Sequence, residues 1–281
     1  MLSFANTSIR FFYRLIFQES LFVAACASAL ALQTDYLLDF PLRWNLYLFV
    51  GLATIAMYQV YGWMDRLGHV LFTPAAWRFL GVRSIAVVLW AVSALFAWWQ
   101  TSISATWLIV VCAAAMVYTA PLLPQTAGTW LRQLGIFKTG LLALIWTVVT
   151  WWFPLLDHTD AWAPFALGLG LQRFLLMLVL CMIFDQRDAL VDRRAGRSSM
   201  ATVFTPVQFD WMMASVLCLL ILVHQLLYEV GLPRNTCIGW QFLTLVLAGL
   251  YLVHRNGKPG HWFYLIWVDG MMLLYALICT I

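Results

Sequence analysis

Long apolar runs alternate with short polar connections along the whole chain. A run of about 17 to 25 apolar residues is long enough for a helix to cross the hydrocarbon core of a bilayer. Nine runs reach this length, near residues 13–33, 44–64, 79–99, 104–122, 138–155, 163–184, 209–229, 238–254 and 261–280. The pattern predicts an all-α polytopic membrane protein, with nine transmembrane helices forming a single domain over residues 1–281.

Composition supports lipid as the main solvent of the protein. Of the 281 residues, 64% are hydrophobic and only 10% are charged, whereas a soluble domain carries roughly a quarter charged residues. The net charge of +4 is too small and too scattered to form a face that follows nucleic-acid phosphates. The six cysteines include no CxxC pair, so we interpret them as buried apolar residues. A soluble globular domain and a nucleic-acid-binding protein are both excluded.

The basic residues predict which ends of the helices face the cytoplasm, because short cytoplasmic loops carry most Lys and Arg. With a cytoplasmic N-terminus, thirteen of the 16 Lys and Arg lie in inner segments. Arg43 and Arg234 lie in outer segments, and Arg173 lies within the sixth run. We therefore expect an integral protein of the bacterial inner membrane with its N-terminus in the cytoplasm.

Arg173 is the main exception to this distribution. A charge isolated within the bilayer is costly, so we expect Arg173 to face the other helices and to pair with Asp269 or Glu19. Such a pair would either fix helix packing or anchor the head group of a bound molecule. All nine prolines lie in connections or at helix ends, which indicates continuous helices and a site built from side chains near their cytoplasmic ends.

The charged segment after the sixth run is the strongest candidate site. Asp185, Asp188 and Asp192 are three and seven residues apart, so on a helix they share one face within about 60° of arc. Such carboxylates repel one another unless a cation lies between them, and together with phosphates they suit Mg²⁺. Arg187 and Arg193 would bind the phosphates directly. The alternative is an ordinary basic inner loop, which explains the arginines but not the acidic stripe.

At this segment the chain resembles the UbiA superfamily of intramembrane prenyltransferases, whose second aspartate-rich motif runs roughly DxxDxxGDRxxGxxTLP. The matching residues are Asp185, Asp188, Asp192, Arg193 and Gly196. Residues 117–123, Val-Tyr-Thr-Ala-Pro-Leu-Leu, resemble the family's Tyr-Ser-x-Pro-Pro-Leu segment, and Lys138 matches the lysine that opens its fifth helix. A nine-helix bundle with a site facing the cytoplasm is also the fold that this resemblance implies.

The first aspartate-rich motif of the family, NxxxDxxxD, is only partly present. With its last position at Asp65, Met57 stands where the family has asparagine and Tyr61 where it has the middle aspartate. In the family this motif holds one of the metal ions on the diphosphate. The chain therefore departs from the family at one half of the expected metal site.

The resemblance implies a Mg²⁺-dependent enzyme that moves a prenyl group from a polyprenyl diphosphate to a lipophilic or aromatic acceptor. It implies catalytic roles for Lys138, Asp188 and Asp192, and metal ligation by Asp65, Asp185, Asp188 and Asp192. The candidate substrate-binding residues are Tyr61, Arg66, Tyr118, Arg132, Arg173, Arg187 and Arg193. The candidate aromatic walls for an allylic cation are Tyr58, Tyr61, Trp63, Tyr118, Trp146 and Phe184.

Two other functions stay open at this point. The replacement of the asparagine and aspartate by Met57 and Tyr61 favours a non-catalytic relative. Such a protein would bind an isoprenoid or lipid head group, or stabilise a membrane partner. A transporter or flippase is disfavoured by the unbroken helices. No pair of histidines has HExxH spacing, so a histidine zinc site is not expected.

Overall fold

The computed structural model describes residues 20–70, 74–119, 134–156, 158, 163–194, 198–257, 259–260 and 262–280. The side chains of residues 62–84, 86, 119, 134–136 and 280 are also outside this description. Over the described residues the chain is helical and contains no β-strand. The predicted all-α class is therefore confirmed for this part of the chain.

The helices follow one another with short connections. The first half contains α1 Leu21–Leu37, α2 Trp44–Val70, α3 Pro74–Trp99, α4 Ala105–Thr119 and α5 Leu134–Thr147. A π-helical stretch, Val148–Trp152, and a short turn, Phe153–Leu155, continue α5. The second half contains α6 Pro164–Arg194, α7 Met200–Val203, α8 Pro206–Glu229 and α9 Arg234–Asn256. The last elements are a π-helical stretch Phe263–Val268, α10 Gly270–Leu277 and a 3₁₀ turn Ile278–Thr280.

Four helical segments in the described residues are long and apolar enough to cross a membrane: Phe137–Leu155, Pro164–Arg194, Pro206–Glu229 and Arg234–Asn256. Shorter apolar helices cover Leu21–Leu37, Val87–Trp99, Ala105–Tyr118 and Phe263–Leu277. These segments are consistent with an integral membrane protein. The full set of nine crossings stays a prediction.

The helix that carries the acidic stripe is longer than its apolar run predicts. The run ends at residue 184, but α6 continues to Arg194, so all three aspartates lie on regular helix. In α6, 67% of the most apolar 18-residue stretch is buried inside the protein. The corresponding share is 33–39% in the other three long segments. Apolar side chains of α1, α8, α9 and α10 pack around α6 in one core cluster. The central position of α6 fixes the site relative to the rest of the bundle.

Prolines and local hydrogen bonds set the ends of α8. Pro206 occupies the first turn, where its missing N–H costs nothing. The Thr205 hydroxyl accepts from the backbone N–H of Gln208, whose side chain accepts from the backbone N–H of Thr205. This reciprocal cap satisfies backbone donors that the helix itself cannot pair. After α8, Gly231 adopts a φ of 122°, a conformation that glycine reaches without steric cost.

Two helices contain locally widened, π-helical stretches, through which the helical path continues. Pro154 has no N–H to offer the carbonyl of Thr150, four residues before it. The chain widens into the π-helical stretch there, and the Thr34 hydroxyl donates to the Thr150 oxygen at 2.9 Å. The second widened stretch ends at Asp269. Such turns are frequent at functional sites, which directs attention to the surroundings of Asp269.

Polar contacts distinguish the two ends of the bundle. At one end, Arg43 donates to Asp35 at 2.7 Å and to the carbonyl oxygen of Pro154, joining α1, α2 and the turn after α5. We call the opposite end the Asp185 end, where the start of α5, the end of α6, α7 and the end of α9 lie together. The distribution of basic residues predicts that the Asp185 end faces the cytoplasm.

Candidate functional site

Asp185 is the carboxylate of the acidic stripe that is most firmly held. Its Oδ2 accepts a hydrogen bond from the Thr139 hydroxyl at 2.5 Å and from the Met200 backbone N–H at 3.3 Å. Thr139 belongs to α5 and Met200 opens α7, so Asp185 connects three elements. The backbone N–H at the start of a helix has no partner within that helix. The contact therefore satisfies a donor of α7 and fixes the Asp185 carboxylate at the same time.

Asp188 is engaged by its neighbour on α6. The Arg187 guanidinium donates to both oxygens of Asp188, each at 2.7 Å. This two-fold geometry is the strongest arrangement of an arginine and a carboxylate. The Arg187 guanidinium also lies over two aromatic rings, 4.7 Å from the centre of Phe184 and 5.1 Å from that of Tyr264. Arg187 is thus held by one charge and two ring faces.

The three aspartates of the stripe do not gather into a shared metal site. Within the described residues, no group of three or more His, Cys, Asp or Glu side chains is placed to hold a metal ion. Asp188 faces Arg187, and Asp185 faces Thr139 and Met200. Asp192 lies near enough for its charge to act on Asp185. Among the described residues, the three carboxylates therefore do not form one preformed cluster of metal ligands.

Lys138, at the start of α5, lies in electrostatic range of Asp185. Its Nζ is 4.9 Å from the centre of the Tyr118 ring, and its charge acts on the Asp185 carboxylate. The Tyr118 hydroxyl lies within the electrostatic range of Asp185 and of Tyr61. The start of α5, the end of α4 and the end of α6 thus bring one cation, one acid and an aromatic face together.

Tyr58 indicates an internal gap between the helices below this cluster. Its side chain is 41% exposed to a solvent probe, yet protein surrounds it, with Cys26, Cys181 and Asp269 in electrostatic range. A side chain that is both deep in the bundle and accessible borders open space. The gap lies beside α1, α2, α6 and the residue that precedes α10.

Arg173 does not pair with Asp269, so that part of the prediction is wrong. Its side chain is 3% exposed, and its guanidinium donates to the Leu30 carbonyl at 3.0 Å and to Gln33 Oε1 at 2.6 Å. In the part of the chain that the structure describes, Asp269 is not among its hydrogen-bond partners; the other predicted partner, Glu19, lies outside the described residues. Arg173 precedes Asp185 by twelve residues, ~18 Å along a helix. It packs in the core, away from the Asp185 cluster.

The remaining predicted residues have mixed outcomes. Arg193 donates to the Ala201 carbonyl at 3.2 Å and is exposed at the end of α6. Tyr61 is 44% exposed on α2, and Trp146 is partly buried against the apolar core. The side chains of Trp63, Asp65 and Arg66 and the whole of Arg132 lie outside the described residues.

Sequence patterns missed three residues of this region, Thr139, His254 and Tyr264, and paired a fourth, Asp269, with the wrong partner. Tyr264 and His254 form a 2.6 Å contact between Nδ1 and the phenolic oxygen, and no motif distinguishes them from the many other aromatic residues. Asp269 did carry a signal, because an acid within an apolar run is a functional candidate by default. The signal was assigned to the wrong partner, Arg173.

The Asp185 end therefore combines two cations on aromatic faces with a held carboxylate and a gap that leads into the bundle. This arrangement can bind an anionic head group and accept an apolar chain beneath it. Comparisons with known proteins found no matching family model, no similar curated protein and no similar solved structure. The assignment of a function consequently depends on the chain's own residues.

Proposed function

We propose that this chain is an integral membrane prenyltransferase, which transfers a prenyl group from a polyprenyl diphosphate to a lipophilic or aromatic acceptor. In this proposal nine helices cross a membrane such as the bacterial inner membrane, with the N-terminus and the Asp185 end in the cytoplasm. The diphosphate binds at the Asp185 end, and the prenyl chain extends into the apolar interior.

One observation carries the proposal: two cations at the Asp185 end, Lys138 and Arg187, both lie over aromatic rings. Lys138 lies over Tyr118, and Arg187 lies over Phe184 and Tyr264. Cationic side chains held in place stabilise the negative charge that develops on a leaving diphosphate. The same ring faces stabilise a positive charge, which is what an allylic cation requires. A structural ion-pair network alone would not need ring faces below both cations.

The reaction can be written from these groups. The bond between the allylic carbon and the diphosphate oxygen breaks, and its electron pair leaves with the diphosphate, whose charge Lys138 and Arg187 balance. The acceptor's nucleophilic atom forms a new bond to the allylic carbon and loses a proton. Arg187 must release Asp188 in part to reach the diphosphate, so substrate binding exchanges one anionic partner for another.

Mg²⁺ stays a proposed partner of the diphosphate, which chelates such ions and brings its own oxygen ligands. Because Asp185 and Asp188 are engaged elsewhere, no step above depends on the ion. If it binds with the substrate, the acids nearest to it are those of the stripe, and it adds charge stabilisation to that of the cations.

The direct test uses full-length protein in lipid nanodiscs. The nanodiscs are incubated with geranylgeranyl diphosphate labelled in its prenyl chain, membrane lipid extract and either Mg²⁺ or EDTA, and released diphosphate and extractable product are measured. We expect release by the wild type and a loss of about tenfold to a hundredfold in substrate affinity for Lys138→Ala and Arg187→Ala, since hydrogen bonds between charged groups contribute ~1.5–3 kcal/mol. Arg255→Ala is the matched control, because Arg255 also pairs with an aspartate, Asp210, at this end. Absence of release by the wild type in both conditions would overturn the enzymatic proposal.

A non-catalytic function is the second candidate, and a specific observation favours it. The Asp188 carboxylate is paired with Arg187, and Met57 and Tyr61 replace two ligands of the family's first motif. Such a protein would bind the prenyl diphosphate without cleaving it. It predicts that geranylgeranyl diphosphate raises the unfolding temperature of the wild type and not of Arg187→Ala, while no diphosphate is released.

A further inference from the structure

Asp269 occupies a special position in the last apolar segment. It lies between the π-helical stretch Phe263–Val268 and α10, and its side chain is only 8% exposed. A buried acid in a membrane bundle normally pairs with a cation or binds a ligand. The buried arginine that the sequence offers as a partner, Arg173, is instead engaged by Leu30 and Gln33.

The carboxylate of Asp269 has no hydrogen-bond donor among the described residues. The Cys26 thiol, 3.7 Å away, donates to the backbone oxygen of Asp269 and not to its carboxylate. The charge that acts on it is that of Arg187, two residues beyond Asp185 along α6. Unlike Gln172 and His224, whose unpaired polar atoms are sealed in the core, Asp269 lies beside the gap that Tyr58 borders.

The depth of Asp269 follows from its neighbour Cys181. Cys181 is one helical turn before Asp185 on α6, a rise of ~6 Å toward the centre of the bundle. Both Asp185 and Asp269 act electrostatically on Cys181. Asp269 therefore lies on the inner side of the Asp185 cluster, in electrostatic range of Tyr58 of α2. The carboxylate is closer to the apolar interior than the cations that would hold a diphosphate.

This depth corresponds to a particular part of the substrate. With the diphosphate at Lys138 and Arg187, the allylic carbon lies just below it, and the nucleophilic atom of the acceptor must approach that carbon. Asp269 lies at this level, in electrostatic range of Tyr58, which borders the gap. Its negative charge attracts a hydroxyl or amine hydrogen and repels a carboxylate.

Given the proposed function, we infer that Asp269 binds the acceptor and takes its proton. The acceptor is then a lipophile with an O–H or N–H group at its reacting end, not a free carboxylate. The acceptor oxygen or nitrogen forms the bond to the allylic carbon as the carbon–diphosphate bond breaks, and the released proton moves to an Asp269 oxygen. Diphosphate leaves toward the cytoplasm, so atoms and charges balance without a further reagent.

The test compares Asp269→Asn with Asp269→Glu in nanodiscs. Asparagine keeps the size of the side chain but cannot take the proton, so transfer should fall by about a hundredfold or more, the usual contribution of a general base. Glutamate should restore part of the rate. The affinity for geranylgeranyl diphosphate, measured by thermal shift, should not fall in either variant, because the diphosphate binds to Lys138 and Arg187 and both cations remain. A parallel loss of affinity and rate, or transfer at the wild-type rate by the asparagine variant, would overturn the inference.

A binding measurement separates failure of this inference from failure of the proposed function. Farnesol and its methyl ether differ only in the O–H group, and their binding is followed by the fluorescence of the protein's tryptophans. The wild type should bind farnesol more tightly than the ether, and Asp269→Ala should lose this preference. If the preference persists in the variant, Asp269 is not the acceptor-binding group, whatever the enzyme activity. If the wild type releases no diphosphate but shows the preference, the prenyltransferase proposal fails and the binding site of Asp269 stands.

Discussion

His254 Nδ1 and the Tyr264 hydroxyl lie 2.6 Å apart, and this contact fixes the ring on which Arg187 lies. His254 is in the last turn of α9, whereas Tyr264 lies in the π-helical stretch before α10. The contact therefore links the end of α9 to the aromatic ring beneath Arg187, a residue near the end of α6. Asp188 holds the same guanidinium from the other side, so Arg187 is fixed by groups from three parts of the chain.

Substitutions of Tyr264 separate the roles of its ring and its hydroxyl. Tyr264→Phe keeps the ring below Arg187 and removes the contact with His254, so we expect nearly wild-type affinity for geranylgeranyl diphosphate. Tyr264→Leu removes the ring face, which contributes about 0.5–1 kcal/mol at a partly exposed site, and should weaken binding by about two- to fivefold. Thermal shift titration measures both affinities. Equal affinities for the phenylalanine and leucine variants would show that the ring face does not position Arg187.

Substitutions of Thr139 test the junction at which Asp185 of α6 connects α5 and α7. Thr139→Val removes the hydroxyl that donates to Asp185 but keeps a branched side chain, whereas Thr139→Ser keeps the donor. A hydrogen bond to a charged acceptor contributes about 1.5–3 kcal/mol, so valine should lower the free energy of unfolding by about this amount and serine by less. The midpoint of unfolding in SDS is the measurement. If serine is as destabilising as valine, packing and not the hydrogen bond holds this junction.

Much of the fold follows from the apolar runs, because a helix in lipid must satisfy its backbone hydrogen bonds internally and needs a defined apolar length. The runs do not contain the end of α6, since most residues from Asp185 to Arg194 are charged or polar and belong to the helix beyond the apolar core. Pro154 marks the widened stretch in the sequence, but the Thr34 hydroxyl that pairs with the freed Thr150 carbonyl lies more than a hundred residues away along the chain. Such a long-range partner leaves no mark in the local pattern.

The candidate site was predictable in part for a similar reason. Helical spacing correctly places Asp185 near Asp192, and the motif places Lys138 beside them. Spacing does not show that the Arg187 guanidinium turns back to Asp188. It also cannot show that Asp269 lies beside the gap while Arg173 is engaged by neutral groups, because side-chain direction depends on helices that are distant in sequence.

The orientation of the chain is tested by chemical labelling of single cysteines. Gln100, exposed after α3, and Asn256, exposed at the end of α9, are replaced by cysteine one at a time in a variant lacking the exposed Cys218. In intact bacterial cells a membrane-impermeant maleimide should label Gln100→Cys and not Asn256→Cys, which should react only after permeabilisation. This outcome follows from the excess of basic residues in inner segments. The reverse pattern would place the Asp185 end outside the cytoplasm and exclude a cytoplasmic diphosphate.

Asp35 provides the last prediction, at the opposite end of the bundle. Its side chain is fully buried and accepts from Arg43 at 2.7 Å and from the Tyr47 hydroxyl at 2.7 Å. Arg43 also donates to the Pro154 carbonyl. Breaking a buried pair leaves an uncompensated charge and costs about 3–5 kcal/mol. Because the Arg43 side chain is 22% exposed, we expect the lower value, about 3 kcal/mol, for Asp35→Ala.

A double-mutant cycle separates this pair from the effect of side-chain size. Asp35→Ala combined with Arg43→Ala should destabilise less than the sum of the single variants, because the double variant leaves neither charge unpaired. Asp210→Ala is the matched control: its pair with Arg255 is exposed, and such pairs contribute little. The loss of stability measured by unfolding in SDS should therefore be much larger for Asp35→Ala than for Asp210→Ala. Additive single effects would mean that Asp35 stabilises the bundle through Tyr47 and packing, and that Arg43 acts independently through Pro154.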